Sequence, residues 1–302
     1  MLVAEPPKPG VYHALDVWTE AIVIGGAGGR VLHADFEYPL EAVDYKPAAI
    51  ELGDATIRGI ASQVYRPMLA VGDGGVVWRS EDRGETWKAV PSGTTADLHA
   101  VVFYYFDSPN PDFAVIVGDG VLLHSPDLGV TWNTVPLPVP GARLRDVLHV
   151  LGVGWFAVGL GGVILFADGD GSQWAVEASP TERDLLRVHP SYDGTDVIAV
   201  AREGELLRRD ADGWTAVALD LDGEIADATA YTLAMRDGRI ARRVWGTDPG
   251  MYVPTDVDEP LPTLLRIVED SDPWDLDRTL LLAEDGRLLL LAHQSNKPVC
   301  RR

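Results

Sequence analysis

Short apolar stretches separated by polar turns recur along this chain at nearly constant spacing. Runs of four to seven residues rich in Val, Leu and Ile either alternate with polar positions or are wholly apolar, and Gly, Asp and Pro bound them. That pattern predicts β-strands rather than helices, and no long amphipathic helical period competes with it. The stretches come in groups of three or four. The openings of successive groups are YHALDVW at Tyr12, TIRGIAS at Thr56, LHAVVFY at Leu98, LRDVLHV at Leu144, LLRVHP at Leu185, IADATA at Ile225 and LLRIVED at Leu264, spaced by 44, 42, 46, 41, 40 and 39 residues.

A second marker has the same period. Before the third stretch of each group the chain reads GAGGRVLHA, GDGGVVWRS, VGDGVLLHS, GLGGVILFA, REGELLRR, RDGRIARR or EDGRLLLLA, with Gly29, Gly75, Gly120, Gly162, Gly204, Gly238 and Gly286 at the turn. A tight hairpin needs positive φ, which glycine adopts without a Cβ clash. About four short strands per forty-odd residues, repeated seven times, predicts an all-β chain folded as a seven-bladed β-propeller of four-stranded antiparallel blades, one domain over residues 1–302. The last group ends without a convincing fourth strand, so an edge would stay uncovered. The unassigned apolar stretch MLVAE, within residues 1–9, is expected to supply that outer strand and close the ring.

A third feature is written out in full twice: SEDRGETW from Ser80 to Trp87, then SPDLGVTW from Ser125 to Trp132. Ser80, Asp82, Gly84, Thr86 and Trp87, like Ser125, Asp127, Gly129, Thr131 and Trp132, resemble the Asp-box or BNR repeat of sialidase-like propellers. The wider unit, as in LRDVLHVLGVGWFAVGLGGVILFADGDGSQW, is similar to the propellers related to the photosystem II assembly and stability factor. The fourth group keeps Gly171 and Trp174 of the box, and the fifth keeps Gly213 and Trp214. In such a box Asp and Ser side chains bond the backbone of a turn, Gly supplies an unusual dihedral, and Trp covers the hairpin. The expected role is therefore a turn staple.

Charge narrows the partners. Twenty-five basic residues against 46 acidic ones leave a formal net charge of −21, which argues against nucleic acid and anionic membranes. The single cysteine, Cys300, excludes a disulfide within the chain. The N-terminal residues lack a basic segment followed by a long apolar one, and no run reaches eighteen apolar residues, so no signal peptide or membrane span is visible. A cytoplasmic or virion setting is expected.

Catalytic motifs are sparse. Sialidases hold a carboxylate with three arginines and attack with a Tyr activated by a Glu, yet residues 1–29 contain no arginine and the Arg-Ile-Pro motif is missing. Phosphate loops, CxxC pairs, HExxH and GxSxG are absent as well. The acidic runs DSDPWDLD from Asp270 to Asp277, DLDGE from Asp220 to Glu224 and DGDGS from Asp168 to Ser172 lack the twelve-residue calcium register. His99, His149 and His189 fall in opening strands but at different depths, so neither a metal nor a cofactor is expected. Arg58, Arg145, Arg187 and Arg266 belong to the same strands, and alternation would put them on one level of the ring. As a basic patch on an acidic protein they are the leading candidate surface, with pairing to Asp146 or another carboxylate as the alternative reading. Trp274, Tyr104 and Tyr105 are candidates for stacking on sugar rings.

Two function classes emerge. The first, which the resemblance to assembly factors favours, is a non-enzymatic module that binds protein partners within a larger complex, a phage virion or tail being one setting. The second is a carbohydrate-binding or sialidase-like propeller, suggested through the Asp boxes.

Overall fold

The computed structural model describes residues 2–4, 12–18, 21–35, 44–48, 53–62, 67–104, 113–190, 197–202, 204–217, 219, 221–229, 232–243, 252–255, 261–271, 277–283 and 287–292. Among the described residues it is all-β, with seven four-stranded antiparallel sheets arranged as a β-propeller. The fourth sheet is representative: Leu144–Val150, Gly154–Gly159, Ile164–Ala167 and Ala175–Glu177 pair in sequence order. Opening strands begin at Tyr12, Ile57, Leu98, Leu144, Leu185, Ile225 and Leu264. Each adjoins the opening strand of the next sheet, and Leu264–Ser271 returns to Tyr12–Trp18, so these strands form the inner ring. In the last sheet the outer strand is Leu2–Ala4, antiparallel to Leu288–Ala292.

Apolar alternation becomes packing between sheets. Phe156, Val158 and Ile164 of the fourth sheet meet Leu185, Val188 and Ala199 of the fifth in one cluster. Fully burying each such large side chain contributes roughly 1.5–3 kcal/mol. Second strands such as Gly154–Gly159 and Ala114–Gly118 are buried along their whole length, because both faces lie against a neighbouring sheet.

In the first six sheets the turns from second to third strand abut the segment that leads into the next sheet. In the second and fourth sheets they are three-residue 3-10 turns, Asp73–Gly75 and Leu160–Gly162, rather than two-residue hairpins. Six of the seven turn glycines have positive φ, and Gly286 lies outside the described residues. Positive φ is half of the requirement. A Cβ on Gly75 would collide with the Thr94 carbonyl, and one on Gly162 with the Thr181 carbonyl, on the segments that lead into the next opening strand. Gly29 and Gly120 donate backbone hydrogen bonds to Ala55 and Ala142 in the corresponding places, at 2.8 and 2.9 Å.

The two complete boxes occupy turns from third to fourth strand. Ser80 Oγ accepts from Gly84 N at 2.9 Å and donates to Asp82 Oδ1 at 2.8 Å. Asp82 accepts from Thr86 N at 2.8 Å and from the Thr86 hydroxyl. Trp87 donates its indole N–H to Gly84 O at 2.9 Å. Ser125, Asp127, Gly129 and Thr131 repeat the pattern. Burial would raise the carboxyls of Asp82 and Asp127, but the threonine and serine donors outweigh it and hold both below the ordinary range. The fourth sheet keeps the indole bond, Trp174 Nε1 to Gly171 O at 2.8 Å.

In the fifth sheet another device stands at the same place. Arg209 follows Gly204 by five residues, as Ser80 follows Gly75, and makes a bidentate ion pair with Glu177 of the preceding sheet, at 2.7 and 2.9 Å. Glu177 also accepts from Trp214 Nε1 at 2.6 Å. The guanidinium lies 5.1 and 5.4 Å from the ring centres of Phe156 and Phe166.

Candidate functional site

Strand direction separates the two ends of the ring. Opening strands start at the end that carries the second-to-third turns, whereas antiparallel order places the boxes at the opposite end. Candidate chemistry at the start of the inner strands is therefore remote from the box motif.

All seven opening strands share a feature invisible to simple alternation: the register slips after their first residue. One extra residue is inserted opposite the second strand, a β-bulge that bends the strand and re-aims a side chain. The inserted positions are His13, Arg58, His99, Arg145, Leu186, Ala226 and Leu265. This corrects the expectation that Arg58, Arg145, Arg187 and Arg266 share one level. Arg58 and Arg145 occupy bulges, whereas two leucines precede Arg187 and Arg266 and move them one place deeper, into register with Asp146 and Asp227.

The deeper level is a structural seam. Arg187 Nε donates to Asp227 Oδ1 at 2.8 Å, with Asp227 only 4% exposed. Asp146 is not the partner of Arg145. Its Oδ2 instead accepts from Val188 N at 3.0 Å, satisfying the backbone of the next inner strand. The equivalent places in the first three sheets are Ala14, Gly59 and Ala100.

At the bulge level cations gather on turn carboxylates. Arg58 pairs with Asp73 in its own sheet. Asp119, the matching turn residue of the third sheet, receives Arg145 Nη1 at 2.7 Å, His99 Nε2 at 3.1 Å and Arg143 Nη2 at 3.3 Å. Burial would raise the Asp119 carboxyl, yet the guanidinium groups of Arg145 and Arg143 hold it well below the ordinary range. Asp73 is lowered in the same sense, with Arg58 and Thr56 outweighing burial. Burial and the nearby Arg145 push His99 down, which favours neutral imidazole at pH 7. Asp97 turns its carboxylate to Gly74 N at 2.9 Å. Arg143 is more than half exposed and Arg58 one-third exposed, whereas Arg145 and His99 are mostly buried, so solvent reaches this arc of three guanidinium groups and an imidazole chiefly through the first two. The acidic turn partners stand in the turn sequences GDGGVVWRS and VGDGVLLHS; a cation at the second place of an opening strand is the signal that they do more.

Other sequence candidates resolve differently. His149 stacks on Tyr104 at 4.2 Å and Trp155 at 4.7 Å between ring centres, and burial lowers its pKa to about 4. Tyr104 is thus packed against the fourth sheet rather than presented as a sugar platform, while Tyr105 and Trp274 lie outside the described residues. His189 directs Nδ1 at Pro190 O at 3.1 Å. Asp170 of DGDGS accepts from Ser172 N at 2.9 Å, as a turn-forming residue does. Asp220 and residues 272–276 of the other two acidic runs are not described, nor is the side chain of Arg266. Among the described residues no group of three or more His, Cys, Asp or Glu is placed to hold a metal ion. No helix among them is long and apolar enough to cross a membrane.

No protein-family model matches the sequence, and no curated protein matches it either. Solved structures do resemble it. YCF48 bound to D1 peptide matches with a TM-score of 0.71 and 14% identity, covering 96% of this chain and 94% of that one. YCF48 from Cyanidioschyzon merolae gives 0.72 at 16% identity over 98% and 99%. A catalytically inactive virginiamycin B lyase from Staphylococcus aureus with quinupristin gives 0.79 at 10% identity over 97% and 99%. Binding proteins and an enzyme thus share this architecture, and at such identities the likeness establishes the fold: the chain is similar throughout its length to β-propellers.

Proposed function

We propose that the chain is a non-enzymatic protein-interaction propeller, a seven-bladed ring that holds an acidic segment of a partner protein at the inner end of its opening strands. The observation that carries this reading is the convergence of Arg143, Arg145 and His99 on the single carboxylate of Asp119, with Arg58 beside Asp73 in the adjoining sheet. Guanidinium groups already arranged around a carboxylate suit recognition of further carboxylates. On a protein of net charge −21 such an arc also selects an orientation for an acidic partner. YCF48, a propeller of similar shape, is known with a D1 peptide bound, which supports the interaction class without identifying this chain's partner. The seven sheets and the return of the last inner strand to the first support the ring count. The boxes, at the opposite end, fit the role of turn staples. A larger assembly, with a virion or tail as one setting, belongs to the same proposal.

The test is quantitative affinity enrichment from the native source with wild-type protein and with an Arg58→Ala, Arg145→Ala double variant that melts like the parent. A stoichiometric protein partner lost in the variant supports the reading. Equal recovery by both removes the arc from it.

A further inference from the structure

At the bulge the second sheet carries Arg58 against the turn carboxylate of Asp73, and the third carries His99 against that of Asp119. The places match, but a guanidinium keeps its charge at every physiological pH, whereas an imidazole gains or loses its charge near neutrality. The bulge of the first sheet also holds a histidine, His13, with Ala27 at the turn position in place of a carboxylate. Asp119 is the more heavily loaded of the two acids. Its Oδ1 receives Arg145 Nη1 at 2.7 Å, His99 Nε2 at 3.1 Å and Arg143 Nε at 3.4 Å, three donors on an oxygen with about two lone-pair sites. Arg143 has the weakest hold: its second contact, Nη2 to Oδ2, is 3.3 Å long, and its side chain is 57% exposed. The other charged groups on the elements packed around His99 are engaged elsewhere. Arg58 and Asp73 pair with each other, Asp97 turns to Gly74 N, and Asp146 accepts from Val188 N.

We propose that His99 makes the cationic arc proton-sensitive: once charged, it shares Asp119 with Arg145 alone, and Arg143 is released to the open side of the mouth, where an acidic partner segment meets it. This regulation rests on the interaction reading above. A carboxylate only accepts, so His99 Nε2 carries a hydrogen in both states and the added proton goes to Nδ1. The ring therefore keeps its bond to Asp119, and that bond gains strength from the charge. Three cations on one carboxylate then repel one another, and the one with the longest contacts and the most water leaves at least cost. Departure moves the side chain alone, since a backbone β-bridge between Asp119 and Arg143 holds the residue at the mouth. In the resting state burial, Arg145 and Arg58 disfavour the charged imidazole and Asp119 offsets them in part, so at pH 7 His99 is neutral and Arg143 stays docked. Acid supplies the change. By linkage, a partner carboxylate that captures Arg143 raises the proton affinity of His99.

Nitrogen-proton correlation spectra of the histidine and arginine side chains, followed on the full chain from about pH 8 to about pH 5, test this. His99→Gln assigns one signal and keeps an N–H donor for Asp119, and Arg143→Lys assigns the other. His99 is expected to take up its proton below the ordinary histidine range, and the Arg143 Nε–H signal is expected to shift with the same midpoint. In His99→Gln the Arg143 signal should stay constant across that range. An Arg143 signal that ignores the His99 midpoint in the wild type, or that shifts equally in His99→Gln, overturns the proposal. A His99 that stays uncharged throughout the range overturns it as well. The wild-type spectra alone carry the first and last of these outcomes, so the test survives a variant that fails to fold. None of the readouts involves a partner, so they decide the proton switch by themselves, and the enrichment experiment decides the interaction reading.

Discussion

Gly161 and Gly162 are neighbours in one turn, both with positive φ, at +69° and +73°. A Cβ on Gly161 would point into open space, whereas one on Gly162 would run into the Thr181 carbonyl on the way to the fifth sheet. Gly161→Ala should therefore cost only the left-handed backbone, about 1–2 kcal/mol. Gly162→Ala carries that cost and must also push two backbones apart, a further 1–3 kcal/mol on the scale of overpacked interiors. The difference between the variants isolates the docking of one sheet on the next, because the backbone cost cancels. Urea unfolding followed by tryptophan fluorescence would measure it, with equal slopes required for comparison. Equal destabilisation by the two substitutions would refute the argument that close approach, and not φ alone, demands glycine at this position. The same pair exists at Gly74 and Gly75, where Gly75 faces Thr94 and Gly74 faces nothing within 4 Å.

Other perturbations probe different joints. Trp87→Ala should cost about 3–5 kcal/mol, as for other buried aromatic truncations, and an unchanged melting temperature would remove its role as the cover of its turn. Glu177→Ala strands Arg209 and the Trp214 indole together and should cost about 1–3 kcal/mol after allowance for partial exposure, with Glu177→Gln milder because an acceptor for Trp214 remains. Removal of residues 1–5 takes away the strand Leu2–Ala4 and should lower the melting temperature; a parental melt would place ring closure elsewhere. Burial raises the Asp16 carboxyl from 3.8 to about 7 despite hydrogen bonds from Ser62 and Val17. The folded state then binds more protons between those values, so this group's contribution falls as pH rises from 4 to 7, by roughly 4 kcal/mol at most. Asp16→Asn should flatten that slope, and a melting temperature with the same pH dependence in both proteins would contradict it.

The sheet order was legible because its signals are local. Strand runs, turn glycines and box tryptophans each depend on a few adjacent residues, and their common period supplied the rest. Even the closing strand could be reached by elimination, from an apolar stretch without another place. The candidate site was less legible for a physical reason. A bulge is a property of hydrogen bonding between two strands, so strict alternation placed Arg187 beside Arg145 when the extra Leu186 puts it a level deeper. Once shifted, Arg187 becomes half of a buried pair with Asp227, forty residues away. Asp73 and Asp119 stand in recognisable turn sequences, but their pairing with Arg58 and Arg145 depends on how the inner strands meet the turns in space. The Arg209 staple carried no motif at all, because Glu177 comes from the preceding sheet.

Native sedimentation of the protein from its source, with wild-type chain and the Arg58→Ala, Arg145→Ala variant run side by side, tests the central claim most directly. The wild type should travel with a larger complex and the variant should be released to the position of the free chain. A wild type that sediments alone, or a variant that stays in the complex, would contradict the account of the cationic arc as the partner-binding surface.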